Sequence, residues 1–516
     1  MGTEYTGEQL LAIEAIDSTE DDIILVEATA GSGKTTLVIE AFGRNIAKRK
    51  TGISLAFNAK IAKENKDIFP DWFDVRTLHS FGYRNIVSAL GLTVKSNISP
   101  SDFKGRISIS QKSIYLSYLN KYCSSDVIKI RDFLIGENVS PRHLDATEKA
   151  LKQVVNDCNS GSIPISHAVY LKLFQIQLVF GDVEIETDVL FMDEFADINA
   201  CYYSIFKHIK ASKKVVVYDQ SQSIYRFNNS INGGDKLLED FPDICKKFSL
   251  TNTFRCSAEI ASAVNRFGKE FILTPFQTIT GRKVDIESPS RFMILTRTNK
   301  ELIEHSLALI DNDIKFVFAR SYKSILSPII YIKSGARIDM GKQDSGKFDE
   351  VLDENKYIVS EYREYYGSRA QSDQTSFARW IQNKGKKDGD YYPELVRIAS
   401  IATNFSTKDL MLVYNFCKDK KNHDDNAILG TSFSTKGDAA DMVYISEDLN
   451  KATQKTKDDF ANKSLLAKDD EFLNYYVATT RARKWLINAT HLTNYGCGEG
   501  MTIDMMYRYM KKQQRI

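Results

Sequence analysis

No apolar run in this chain approaches the roughly 18–20 residues that a membrane-spanning helix needs. The first residues carry acid where a secretory leader would carry base, so neither a spanning protein nor a secreted one is expected. Cysteine is sparse: seven residues, an odd number, with no C-x-x-C pair. That argues against a disulfide scaffold and a structural zinc site, and for reduced thiols in a cytoplasmic or nuclear compartment. With 9 Pro and 27 Gly in 516 residues, a collagen-like or low-complexity chain is also excluded. Neither sign of charge dominates, since 69 Lys and Arg stand against 67 Asp and Glu, for a net charge of +2. Any contact with nucleic acid must therefore come from a local groove and not from bulk charge.

What the chain does have is a series of short, largely apolar runs, each opening into a polar turn. They begin at Ile23, Ile53, Val189, Val215, Phe292, Met442 and Trp485. Such runs suit strands of a parallel sheet covered on both faces, and helical stretches follow several of them. The expected class is α/β, with chemistry collected at the polar strand ends. Two regions, about 84–173 and 335–426, break the rhythm with helix-like patterns and read as insertions.

The first run leads into Ala28-Thr29-Ala30-Gly31-Ser32-Gly33-Lys34-Thr35-Thr36. Glycines let the backbone wrap a phosphate, and the helix that follows aims its N-terminal amides at the anion. Lys34 can reach the β and γ phosphates of ATP, and the Thr35 hydroxyl can ligate Mg²⁺. A third run ends in Asp193-Glu194-Phe195-Ala196-Asp197. Asp193 suits the metal, and Glu194 suits a general base for water.

Together with these, Asp219-Gln220-Ser221-Gln222-Ser223-Ile224-Tyr225 and Tyr476-Val477-Ala478-Thr479-Thr480-Arg481-Ala482 resemble the superfamily 1A, UvrD/Rep-like DNA helicases. Phe57-Asn58-Ala59-Lys60, Thr77-Leu78-His79-Ser80-Phe81, Leu295-Thr296-Arg297-Thr298-Asn299 and Ile428-Leu429-Gly430-Thr431 look most like the F-box DNA helicase branch, without the F-box. The resemblance runs from about Thr6 to Leu486 in the expected order. It implies two RecA-like P-loop domains with an ATP site in the cleft between them, each carrying a mostly helical insertion. Domain 1A would be 1–83 and 174–275, 1B 84–173, 2A 276–334 and 427–516, and a reduced 2B 335–426.

Roles follow residue by residue from the resemblance. Gln9 would read adenine, Phe254 stack on it, and Ala30 to Thr36 cradle the phosphates. Gln222 would sense the γ-phosphate, Arg255 contact it, and Arg481 act as an arginine finger. Tyr225 and Phe227 would stack on bases, which single-strand binding needs more than bulk charge. Phe57, Asn58, His79, Arg297, Asn299 and Thr431 would line the strand. The implied activity is 3′-to-5′ travel on single-stranded DNA, with unwinding of tailed or forked duplexes, by a monomer using ATP and Mg²⁺ in repair, recombination or replication. The rival expectation is an ATP switch that grips or clears DNA without unwinding it. The sequence departs from the family at Ala28, Ala196, Tyr218, Asn228 and Ala439, the last standing where a ribose-contacting glutamate is usual.

Overall fold

The computed structural model describes residues 4–18, 22–44, 50–56, 59–95, 97–99, 102–105, 107, 109–223, 231–272, 277–338, 393–459, 466–498 and 500–515. The chain divides into two compact units, Met1–Phe254 with Thr274–Ile279, and Arg255–Leu273 with Thr280–Ile516. The class is α/β with parallel sheets, as the apolar runs require.

In the first unit the strands are β1 (Ile23–Ala28), β2 (Gly52–Ala56), β3 (Phe73–Thr77), the short pair β4 (Val94–Lys95) and β5 (Ile165–Ser166), then β6 (Glu186–Met192), β7 (Lys210–Tyr218) and β8 (Cys245–Leu250). Six of them form a sheet in the order β3-β2-β6-β7-β1-β8 with every pairing parallel. Successive side chains of a strand point to opposite faces, and the core follows that rule. Ile23, Leu25, Leu190, Met192 and Val216 join one apolar cluster. Ile24, Val26, Val189, Phe191, Val215 and Val217 join the other. Each such fully buried side chain is worth about 1.5–3 kcal/mol, which is why the runs are apolar on both faces.

Helices α1 (Gly7–Asp17), α2 (Lys34–Arg44) and α3 (Ala59–Ile68) come first, followed by the short α4 (Leu78–Gly82). α1 and α2 bury Ala12, Ile13, Leu37, Ala41 and Phe42 in the second cluster. There Phe42 packs on Phe73 at 4.8 Å and on Phe69 at 5.7 Å between centroids. The expected insertion at 84–173 is helical: α5 (Ile109–Ser124), α6 (Ile130–Gly136), α7 (Pro141–Asn159) and the start of α8 (His167–Phe180). Leu119, Tyr122, Leu151, Val154 and Phe174 share one apolar cluster with Leu25 and Leu190, so this segment is continuous with the sheet's own core. α9 (Ala200–His208) and α10 (Gly233–Asp240) complete the unit's α-helices among the described residues.

β9 (Asn252–Ser257) leads from the first unit into the second and pairs with β10 (Thr280–Arg282) in a two-stranded ribbon. Expected domain 1A runs on to 275, whereas Arg255–Leu273 belongs to the second unit. The reason is packing: α11 (Ala258–Phe271) sets Phe267 5.2 Å from Tyr475 and Phe271 5.4 Å from Phe472. The second sheet is again parallel, β12-β13-β11-β14-β15, from β11 (Phe292–Thr296), β12 (Val317–Phe318), β13 (Ala427–Thr431), β14 (Ala440–Ile445) and β15 (Ala482–Ile487). Its helices are α12 (Asn299–Asp311), α13 (Tyr322–Ile338), α14 (Pro393–Asn404), α15 (Thr407–Lys418), α16 (Glu447–Asp458), α17 (Leu466–Thr479) and α18 (Ile503–Gln513). α13, α14 and α15 share the second unit's core through Leu326, Ile330, Ala402 and Val413. Most of the expected 335–426 insertion, 339–392, lies outside the described residues. Among the described residues no helix is long and apolar enough to cross a membrane.

Candidate nucleotide and nucleic-acid sites

A parallel sheet gathers all its strand C-termini at one edge. In the first unit β6, β7 and β1 are consecutive neighbours, so three polar segments meet there: the loop after β1, the carboxylates after β6 and the turn after β7.

The loop after β1 is tied down by backbone and hydroxyl bonds. Thr29 Oγ1 donates to Leu250 O at 3.0 Å, Thr253 Oγ1 to Ala30 O at 2.6 Å, and Phe254 N to Gly31 O at 2.8 Å. Gly33 has a φ of +80°, which disfavours any other residue. A Cβ there would lie 2.8 Å from Gln9 Nε2 and 3.5 Å from the Phe254 ring, so both expected adenine contacts border the loop. Gln9 is buried, accepts from Thr6 N at 3.0 Å through Oε1 and donates to Ser32 O at 3.2 Å through Nε2. Ser32 Oγ is buried without a hydrogen-bond partner among the described residues. An orphaned hydroxyl inside a glycine-rich loop fits an anion that arrives with the ligand.

Lys34 and Thr35 open α2 and share a small concavity with Asn65 and Asp193, floored by Val38, Phe69, Phe191 and Val217. Lys34 Nζ stands 3.7 Å from Glu194 Oε1. Glu194 has a φ of +56°, a left-handed conformation that costs an ordinary residue roughly 1–2 kcal/mol. The turn is held by Asp193 Oδ1, which accepts from Glu194 N at 2.8 Å, and by Phe195 N donating to Val217 O at 3.1 Å. Strain of this kind gathers at functional sites. Thr35 and Asp193 offer the hard oxygen donors that Mg²⁺ takes while keeping several waters.

After β7, Asp219 organises the turn. Its carboxylate accepts from Ser221 N at 2.9 Å and from Gln222 Nε2 at 2.5 Å, fixing the expected sensor amide. Ser223 Oγ donates to Ala196 O at 3.0 Å, so the backbone of Ala196 links this turn to the carboxylate turn. Tyr218, a departure from the family, is accommodated by Gly234, where a Cβ would come within 2.6 Å of Tyr218 Cζ.

Comparison with known proteins agrees with this geometry. Residues 12–228 match the family model of an AAA domain. The chain also resembles Gabija protein GajB of Bacillus cereus (strain VD045), at 26% identity over 262 residues. That alignment takes in 48% of this chain and 47% of the relative, so the chain spans about half the length of the protein it matches. The matched segment takes in the loop after β1, the carboxylate turn after β6 and the turn after β7.

His79, in α4, is half-buried within a ring of aromatics. Its Nε2 lies 2.9 Å from Tyr202 Oη and its Nδ1 3.4 Å from Tyr170 Oη, which also meets His167 Nδ1 at 2.9 Å. Burial, with His167 as a second cause, pushes the His79 pKa down to about 4. It is therefore neutral at pH 7 and can meet a nucleic acid only as a hydrogen-bonding or stacking group.

In the second unit, Arg297 is engaged by its own neighbours. Its Nε and Nη2 donate to Glu471 at 2.6–3.0 Å, and its guanidinium lies 5.7 Å over the Phe433 ring. Glu471 raises its pKa further above the ordinary arginine range. Thr431 closes the turn after β13: its N donates to Ser434 Oγ at 2.9 Å, and its Oγ1 meets the same hydroxyl at 3.3 Å. Asn299 is half-buried and makes no side-chain hydrogen bond among the described residues. Arg255 Nη1 donates to Thr480 O at 3.3 Å. Arg481 is fully buried, donating to Val477 O at 2.9 Å, Asp438 O at 3.3 Å and Thr480 Oγ1 at 3.4 Å. Phe57, Asn58, Tyr225 and Phe227 lie outside the described residues.

Sequence reasoning passed over several residues that build these sites. Glu8 clamps α1 to the end of β8 by accepting from Thr251 N at 2.8 Å and Thr251 Oγ1 at 2.6 Å. Asp219 stands three residues before Gln222, and that position is the signal the sequence offers for it. Asn65 and Glu471 carried none, because each reads as an ordinary polar position on a helix.

Proposed function

We propose that the protein is an ATP-dependent DNA helicase or translocase of the UvrD/Rep-like kind, nearest the F-box branch, moving 3′ to 5′ on single-stranded DNA in repair, recombination or replication. The observation that carries this reading is the meeting of Lys34, Asp193, Glu194 and Gln222 at the C-terminal ends of three neighbouring parallel strands. In this reading Lys34 and the amides of Ala30 to Thr36 hold the phosphates, while Gln9 and Phe254 take the adenine. Glu194 orients and deprotonates the attacking water. Thr35 and Asp193 would hold Mg²⁺, which when bound neutralises charge on the phosphate oxygens. Arg255 and Arg481 are assigned the γ-phosphate contact and the arginine finger that the resemblance implies.

Gln222 is the coupling residue. A phosphate that engages its amide competes with Asp219, and the Ser223–Ala196 bond carries the change between the two turns. The segment after Ser223 holds Tyr225 and Phe227, to which base stacking is assigned; Phe57, Asn58, His79, Arg297, Asn299 and Thr431 complete the assigned strand contacts. Domains 1A, 1B, 2A and 2B keep the limits given above, with 255–273 moved to 2A. The test is strand displacement on duplexes with a 3′ or a 5′ single-stranded tail, with ATP turnover followed in parallel. Displacement from the 3′ tail alone supports the proposal. Displacement from the 5′ tail refutes the direction, and ATP turnover without any displacement favours the switch.

A further inference from the structure

One side chain of the nucleotide concavity has no place in the roles above. Asn65, on α3, is 6% exposed, and its Nδ2 makes no hydrogen bond among the described residues. One side of its setting is apolar, with Val38, Phe69, Phe191 and Val217. Phe69, four residues on and just past the end of α3, packs 5.3 Å from Phe191 and 5.7 Å from Phe42. A buried amide donor without a partner is costly, and an apolar residue of similar size would pack there at no such penalty. The sequence keeps an amide at this point, and the same concavity is lined by Lys34, Thr35 and Asp193.

We propose that Asn65 is a positioning residue of the cation site, its side-chain amide holding a water of the Mg²⁺ shell beside Thr35 and Asp193. The chemistry suits the task. A carboxamide offers both an oxygen that accepts from a metal-bound water and an NH₂ that donates to a carboxylate. Mg²⁺ keeps several waters and needs partners for them. Groups that orient such an outer shell change metal affinity by roughly 10–100-fold when removed. The inference rests on the nucleotide reading given above.

The experiment measures equilibrium binding of a fluorescent ATP analogue to the full chain across a Mg²⁺ titration and in EDTA, with thermal melting of the nucleotide-free protein. The proteins are wild type, Asn65→Leu and Asn65→Ala. Asn65→Leu and Asn65→Ala should raise the half-saturating Mg²⁺ concentration at least about tenfold, with binding in EDTA unchanged. The melting temperature of Asn65→Leu should be equal or higher, since an unsatisfied donor is removed. An unchanged Mg²⁺ half-saturation in Asn65→Leu and Asn65→Ala overturns the proposal. A loss of binding in EDTA together with a lowered melting temperature also overturns it, by showing a packing role. Wild-type protein that binds no nucleotide at any Mg²⁺ concentration would remove the nucleotide reading itself.

Discussion

Replacing Glu194 by Asn separates backbone strain from chemistry at the carboxylate turn. Glu194 holds a φ of +56°, at a cost of roughly 1–2 kcal/mol for an ordinary side chain. Asn tolerates that region better than most residues, so the exchange should recover about 1 kcal/mol of strain. Against this stands the lost pair with Lys34, 3.7 Å apart and with side chains 17% and 12% exposed. That distance exceeds the 2.7–2.9 Å of a charge-assisted hydrogen bond, so the pair contributes on the order of 1 kcal/mol. The two terms nearly cancel, and the fold should hold. Turnover should not. Loss of a general base costs roughly 10²–10⁴-fold in rate, equivalent to about 3–5 kcal/mol in the barrier. The assay is steady-state ATP hydrolysis beside equilibrium nucleotide binding and thermal melting. Tight binding with turnover reduced at least about a hundredfold is expected. A variant that keeps more than roughly a tenth of wild-type turnover, or that loses binding in proportion to turnover, refutes the assignment.

Gly33→Ala should weaken nucleotide binding by roughly 5- to 150-fold, measured by the same titration, because the left-handed φ of +80° and the 2.8 Å approach to Gln9 together strain the loop by about 1–3 kcal/mol. Glu471→Gln should lower stability by about 1–3 kcal/mol, below the cost of a fully buried pair since the partners are 34% and 22% exposed. Arg297→Lys should lose most of the same amount, because an ammonium cannot reproduce the fork; a double-mutant melting series that finds no coupling would contradict the pairing. His79 is held near 4 against an ordinary 6.5, so between those values the unfolded chain binds more protons and stability falls as pH is lowered. His79→Gln should flatten that part of a melting-temperature profile, and an unchanged slope would show that other groups set it.

The interior strands were legible because burial on both faces leaves no room for polar residues, as in Ile23-Ile24-Leu25-Val26. β3 and β8 form the edges of the first sheet, are partly exposed along most of their length, and so lack a continuous apolar run. β13 is interior, but Gly430 and Thr431 break its run, and its residues stood out as a motif rather than as a strand. That Lys34, Thr35, Asp193, Glu194 and Gln222 follow the ends of strands was legible, because each of their segments comes directly after an apolar run. The strain at Glu194 and the burial of Arg481 were not, since each depends on tertiary packing that neither pattern nor spacing encodes. Asn65 was invisible for the same reason: only the folded chain places it with Thr35 and Asp193.

The central claim is that ATP hydrolysis in this protein answers to nucleic acid. The most direct measurement is the ATP turnover rate of the full chain across a titration of single-stranded DNA, from none to saturation, at fixed Mg²⁺ and salt. The account predicts a low basal rate that rises saturably with DNA, and a Lys34→Ala protein inactive at every DNA concentration. A wild-type rate that is the same with and without single-stranded DNA would contradict it.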